Sequence, residues 1–325
     1  RQAVRKGAAL SVITSASLMA DRNAWAIDVA QSSIVEADQW VEALAAVAAA
    51  IGETNGAAAP LAPKNAPDAA AKAIAASLLS GERKAVLLGN AAAHHAQASS
   101  LLALANWIGA QTGATVGYLT EAANTVGAQL VGAFPKNGGL DAGRMLAAGS
   151  GLKAVLLLNN EPVFDSAAGK AAADVIGNAQ MVVTLSPFKA NLEFSDVLLP
   201  IAPFTETPGT FVNAEGRLQG FHAVVKPQGE TRPAWKVLRV LANLLGLPGF
   251  AFESTAEVLA TIGDKGAVPA NALSNATAAA AVASNGAAAA PVVASIYQLD
   301  SIVRRAPSLQ LTADARNASA GSNVT

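Results

Sequence analysis

The polar residues that could do chemistry in this chain fall into two short stretches. One is Asn159-Asn160-Glu161-Pro162-Val163-Phe164-Asp165, directly after an apolar run. Two amides, a carboxylate and a proline-stiffened turn there offer groups for a ribose or a purine edge, at the carboxyl end of a strand where open α/β sheets take ligands. The same residues equally open a helix, with Ser166 suited to cap it. The other stretch is TETPGTFVNAEGRLQG, residues 205–220. Gly209 after Pro208 permits φ > 0 or a close backbone approach, and Asn213-Ala214-Glu215-Gly216 form the corner of a hairpin between TFV and RLQGF. Valine at Gly209 is predicted to destabilise by more than ~2 kcal/mol through forbidden backbone geometry. Turn chemistry does not explain why DVLLPIAPFTE, with its two prolines and Glu206, stands immediately upstream.

Other chemistries lack their residues. The chain has no cysteine, so it cannot itself ligate an iron–sulfur cluster, close a disulfide or supply a thiolate nucleophile. Neither G-x-G-x-x-G after a strand nor G-x-x-x-x-G-K-[ST] occurs, which disfavours an ordinary dinucleotide dehydrogenase. KNGGLDAGR (136–144) reads as a turn into a helix over 141–148. No G-x-S-x-G elbow supports a serine hydrolase. His94 and His95 are adjacent on a helical approach, roughly 100° apart, so one ion would need further convergent ligands; packing and solvation are the simpler roles. Arg304-Arg305 reads as an exposed pair that solubilises the tail or docks an acidic partner. With 22 basic against 23 acidic residues and only 14% charged, the chain has no field to hold nucleic acid or acidic lipid. Such a charge-poor surface suits contact with partner subunits. No apolar run reaches bilayer length.

These residues need a scaffold, and the hydrophobic pattern supplies one. Apolar strands are predicted at 9–14, 84–89, 114–119, 153–159, 180–186 and 196–200, alternating with helical segments. Leu101, Leu104, Ala105 and Ile108 share a helical face. So do Trp235, Leu238, Leu241 and Leu245 in RPAWKVLRVLANLLG, while TVGAQLVGA is a short helix ended by Pro135. Ser254 and Glu257 have capping-box spacing. This alternation predicts a doubly wound, mostly parallel α/β sheet with helices on both faces, plus a small β-hairpin. The expected organisation is a partial α/β segment over 1–51, a linker over 52–68, the main α/β domain over 69–262, an alanine-rich linker over 263–291 and a tail over 292–325. RQAVRKG followed by AALSVITSASLMA imitates a signal peptide. The missing initiator Met and the interrupting Ser and Thr residues favour a start inside a longer protein.

The block FSDVLLPIAPFTETPGTFVNAEGRLQGF, with RPAWKVLRVLANLLG after it, resembles the late part of the molybdopterin oxidoreductase family. Within that family it is similar to the large iron–sulfur subunit of NADH:quinone oxidoreductase (respiratory complex I). EAANTVGAQLVGAFP, AVLLLNNEPVFD and the tail IYQLDSIVRRAPSLQLT carry the same likeness. It covers about residues 80–260 and the tail, with the first 75 residues fitting in composition and placement only. The resemblance implies that Asn160, Glu161, Gly209, Thr210, Asn213, Glu215 and Arg217 are remnants of a pterin site. The family's metal-ligating residue belongs to an earlier segment, and its pterin-grasping β-barrel is replaced here by the alanine-rich linker and the tail. The resemblance therefore implies a segment with no catalytic residue, no metal ligand and no molybdopterin. Iron–sulfur clusters would lie on cysteines in the N-terminal part of the parent. The implied role is structural, in an assembly that passes electrons from NADH to quinone and translocates protons. Its partners would be other subunits of the peripheral arm, on the cytoplasmic face of a bacterial inner membrane, without nucleic acid and without direct membrane insertion. Two alternatives stay open: a fragment of a true molybdenum or tungsten enzyme of formate dehydrogenase type, and a small-molecule-binding Rossmann-like module using the Asn159–Pro162 loop.

Overall fold

The computed structural model describes residues 1–16, 27–262, 275 and 294–316. These fall into two compact units. The first holds Arg1–Glu121 with Asn275 and residues 294–295 and 308–316, and the second holds residues 122–262 with Ile296–Pro307. The division at Glu121 lies inside the stretch 69–262.

In the first unit β1 (Ser11–Thr14) pairs in parallel with β2 (Gln31–Ile34), and β3 (Ala85–Leu88) with β4 (Thr115–Tyr118). Three helices cover these strands: α1 (Trp40–Asn55), α2 (Ala69–Ser80) and α3 (Ala98–Thr112). Small alanines let the helix axes approach while a few large side chains fill the gaps, and Trp40, Val41, Ile51, Ile74, Leu104 and Ile108 make the core. The predicted apolar face of α3 is the buried one, with Leu104, Ala105 and Ile108 all inaccessible. Gly109 sets its approach to β4, because a Cβ there would lie 2.6 Å from Val116 Cγ2 and 2.9 Å from the Ala114 carbonyl oxygen. Residues 52–55 continue α1, which closes on Gly56 in the left-handed region at φ 69°. The loop beyond is pinned where the Lys64 N–H donates to Glu42 Oε2 at 3.1 Å. It ends at Asp68, whose carboxylate caps α2 by accepting from the Ala71 N–H at 2.7 Å.

The second unit opens with α4 (Thr125–Val131), which stops on Gly132 at φ 72°. A left-handed glycine thus ends this helix before Pro135 can, correcting the sequence expectation. Its sheet has the order β5 (Ala154–Leu158), β6 (Met181–Ser186), β7 (Val197–Pro200), all parallel. The central strand is the dry one: Val182, Thr184 and Leu185 are at most 1% exposed. Helix α5 (Ala171–Gly177) makes the crossover from β5 to β6 and buries Ala172 and Ile176. An antiparallel hairpin follows, β8 (Gly209–Val212) with β9 (Leu218–Phe221), and then α6 (Ala234–Leu244). Trp235, Leu238 and Leu241 are half-buried on α6. Leu245 lies past its last turn and is 66% exposed, so it does not share that face. Ser254 Oγ accepts from the Glu257 N–H as the capping box predicts, while the Glu257 carboxylate reaches the Glu253 N–H. The sequence expected to be a linker, 263–291, lies outside the described residues except for Asn275.

Parallel ladders of strands four to six residues long, with helices between most of them, make this a mixed α/β protein of the expected class. Among the described residues no helix is long and apolar enough to cross a membrane.

Candidate functional site

The chain leaves β5 through Asn159, which holds the left-handed conformation at φ 48°. Asparagine tolerates that geometry better than most residues, and it turns the backbone sharply at the strand's carboxyl end. Pro162 then sits at the first position of a one-turn helix, Pro162–Asp165. Ser166 does not cap α5, whose N-cap is Lys170; its hydroxyl donates back to the Pro162 carbonyl at 2.6 Å and accepts from the Ala168 N–H at 3.3 Å. The Asn160 carbonyl accepts from Asn191 Nδ2 at 2.9 Å, and Asn191, itself at φ 58°, also reaches Thr184 Oγ1 of β6. Asn191 thereby ties together the loops that follow adjacent strands.

Glu161 is the buried carboxylate of this loop, and the tail supplies its partners. Arg305 grips it with both fork nitrogens, Nη1 to Oε1 and Nη2 to Oε2, each at 2.8 Å. Arg304 Nη2 adds a third contact to Oε1 at 2.9 Å, and its Nη1 reaches Asp165 Oδ1 at 3.0 Å. Asp165 Oδ2 in turn accepts from the Glu161 N–H at 2.7 Å. Each guanidinium lies over an aromatic ring, Arg304 over Phe164 at 4.7 Å and Arg305 over Phe188 at 4.3 Å. The side chains of Glu161 and Arg304 are only 8% and 9% exposed. Arg304-Arg305 is therefore not the exposed pair that composition suggested; it docks onto acidic residues of its own chain. Burial is the largest single influence on the Glu161 carboxyl and opposes ionisation. Hydrogen bonds from Arg305 and Arg304, with their charges, together outweigh it and hold the group below its ordinary value.

The hairpin residues form a separate group. Asn213 Oδ1 accepts from the Glu215 and Arg217 N–H groups at 3.0 and 2.9 Å, and Gly216 closes the corner at φ 79°. Glu215 and Arg217 make a loose, exposed ion pair at 3.9 Å. Thr210 pairs with Gly220 across the ladder, and the Val212 N–H donates to Asn124 Oδ1 at 2.9 Å. Gly209 is not in the left-handed region. It is required because a Cβ would meet Phe221 Cζ at 2.6 Å, so the expectation of forbidden backbone geometry gives way to close approach of a ring. Glu206 is buried and accepts from the Gln228 N–H at 3.2 Å. Among the described residues no hydrogen bond or ion pair joins Gly209, Thr210, Asn213, Glu215 or Arg217 to Asn160 or Glu161.

The two histidines go separate ways. His95 is buried against Trp40, with Nε2 donating to the Ala37 carbonyl and Nδ1 accepting from the Gln97 N–H. His94 pairs with Glu121 at the surface, 2.9 Å away.

A pterin nucleotide would need free polar groups on these loops. Both Glu161 oxygens are occupied by guanidinium nitrogens and Asn213 Oδ1 by two backbone N–H groups. As arranged, Glu161 and Asn213 Oδ1 do not fit the role of cofactor ligands. Reasoning from the sequence missed Asp165, Asn191, Phe164 and Phe188 as partners here. The one legible signal was the Glu161/Asp165 spacing, which puts two acids on one face of a helical turn to match the arginine pair.

Comparison with known proteins places these elements in a family. A Bacillus subtilis protein named "Probable oxidoreductase YjgC" is 42% identical over 67 residues, 21% of this chain and 7% of that protein. A Staphylococcus aureus "Putative formate dehydrogenase" is 47% identical over 53 residues, 16% of this chain and 5% of that protein. Another Staphylococcus aureus protein of the same description is 42% identical over 53 residues. The matched stretches thus span less than a tenth of these relatives. The family model described as Molybdopterin oxidoreductase matches residues 61–244, more than half of the chain, and the chain belongs to that family.

Proposed function

We propose that this member of the molybdopterin oxidoreductase family is the C-terminal region of the large iron–sulfur subunit of NADH:quinone oxidoreductase, where it serves as scaffold. The observation that carries the reading is the closed ion-pair cluster at Glu161, in which the tail's own arginines take the loop that pterin enzymes keep for cofactor. A chain without cysteine adds support, since any clusters of the parent would sit on other residues. In this reading the domain braces the cluster-bearing part of the subunit and contacts neighbouring subunits of the peripheral arm, at the cytoplasmic face of a bacterial inner membrane. Electrons pass from NADH to quinone elsewhere in the assembly.

A second reading is favoured by the relatives, whose names point to formate dehydrogenase. There residues 154–220 would wall a working pterin site, with Asn160, Glu161, Gly209, Thr210, Asn213, Glu215 and Arg217 facing the cofactor after the tail moves away. The intact parent protein, isolated from membranes, separates the two readings. Oxidation to the fluorescent pterin, with elemental analysis for molybdenum, tungsten and iron, should return iron alone for the scaffold. Stoichiometric pterin with molybdenum or tungsten would replace it with the second reading.

A further inference from the structure

The tail segment Ile296–Pro307 belongs to the second unit and lies against the loops that follow β5 and β6. We infer that this segment is an intrachain latch: Arg304 and Arg305 fill a place built for planar, N–H-rich groups and hold the carboxyl end of the sheet shut. The inference rests on the ion pairs and the fold, and it applies whether the parent is a scaffold or a pterin enzyme.

Three observations carry it. The first is position, because loops after parallel strands are where open α/β sheets take ligands, and Glu161 and Phe188 lie three and two residues beyond β5 and β6. The second is chemistry. A carboxylate facing a guanidinium fork edge-on, with a phenyl ring over the guanidinium, recognises a flat cationic or amidine-like group by both edge and face. The Arg304 fork is shared between two carboxylates, Nη2 on Glu161 and Nη1 on Asp165, with the Phe164 ring against its guanidinium. The third is how the segment holds itself. Asp300 Oδ1 accepts from the Ile302 and Val303 N–H groups, Arg304 Nη1 reaches the Gln298 and Leu299 carbonyls, and Arg305 Nη1 reaches the Ser301 carbonyl. The segment thus organises its own turn, while Ile296, Leu299 and Ile302 stay 63%, 38% and 42% exposed. Adhesion that depends on charge more than on apolar burial can release locally without dismantling the core.

Hydrogen–deuterium exchange on the full chain tests this. In an Arg304→Gln/Arg305→Gln variant, amides of 296–307 and of 161–166 should exchange together, faster by about tenfold or more, while β6 keeps its protection. Loss of protection in β6 as well would make the segment part of the cooperative core, and no change in either segment would show that the arginines do not hold it; both outcomes overturn the latch. Benzamidine, a flat amidinium, tests the place that the latch fills. It should raise the melting temperature of an Arg304→Ala/Arg305→Ala variant saturably and leave the unaltered chain unmoved. Equal effects on both, or none on either, would overturn the recognition claim. Pterin content reads the scaffold proposal separately, so the two can fail independently.

Discussion

Gly209→Ala isolates the reason for the glycine that opens the hairpin. The added Cβ would lie 2.6 Å from Phe221 Cζ and 3.2 and 3.3 Å from the two Cε atoms, against 3.4–4 Å for ordinary contact. The ring must therefore retreat by roughly 1 Å. Phe221 packs edge-on to Phe211, with centroids 4.8 Å apart and planes at 70°, and retreat disturbs that pair. Loss of the aromatic geometry costs about 0.5–1.5 kcal/mol, and an off-rotamer ring a similar ~0.5–1.5 kcal/mol. Alanine at a backbone conformation it can adopt returns about 0.4–1 kcal/mol through the unfolded chain. The expected net loss is thus ~1–2 kcal/mol. Urea denaturation of Gly209→Ala, Phe221→Ala and the double variant completes the cycle. Once the ring is gone the alanine should be neutral or slightly stabilising, giving a coupling of about 1–3 kcal/mol. Additive losses would refute the reasoning, because a cost that persists without the ring belongs to the backbone.

The buried cluster makes its own predictions. Glu161→Gln keeps the shape and removes the charge facing two guanidinium groups; the expected loss is ~3 kcal/mol, the lower part of the range for breaking a buried pair, since Arg304 retains Asp165 and Arg305 is a third exposed. Equal urea midpoints for the two proteins would show the pair to be no more than a surface contact. Because the folded Glu161 carboxyl is held below its ordinary 4.5, its contribution is complete above that value and is lost as pH falls through the lower folded one. The stability gap between the parent and Glu161→Gln should therefore shrink on going from neutral pH to about pH 3.5, and a constant gap would contradict the assignment. Asn213→Ala removes the acceptor of two turn N–H groups and should cost ~1 kcal/mol, whereas Asn213→Asp, which keeps the acceptor, should melt close to the parent.

Much of the architecture was legible because it is written in local periodicity. The strands at 85–88, 115–118, 154–158, 181–186 and 197–200 fall inside the apolar runs predicted for them, and the buried face of α3 is the one its spacing marks. The hairpin corner was equally readable, since Asn213 and Gly216 are residues whose own backbone preferences make a turn. Errors came where a nearby rival acted first. Gly132 ended α4 ahead of Pro135, and Ser166 bonded back to Pro162 in place of capping the next helix.

The sequence by itself determined the fold class and the turn chemistry, because each depends on residue type and on neighbours a few positions away. Only the tertiary structure decided what the conspicuous polar residues do. Glu161 meets Arg305 across 144 positions and Arg304 meets Asp165 across 139, so neither pairing leaves a periodic trace. Gly209 likewise answers to a ring twelve residues on that only the strand register brings opposite it. A charge or a glycine announces that something is required; the folded chain alone brings in the partner that says what.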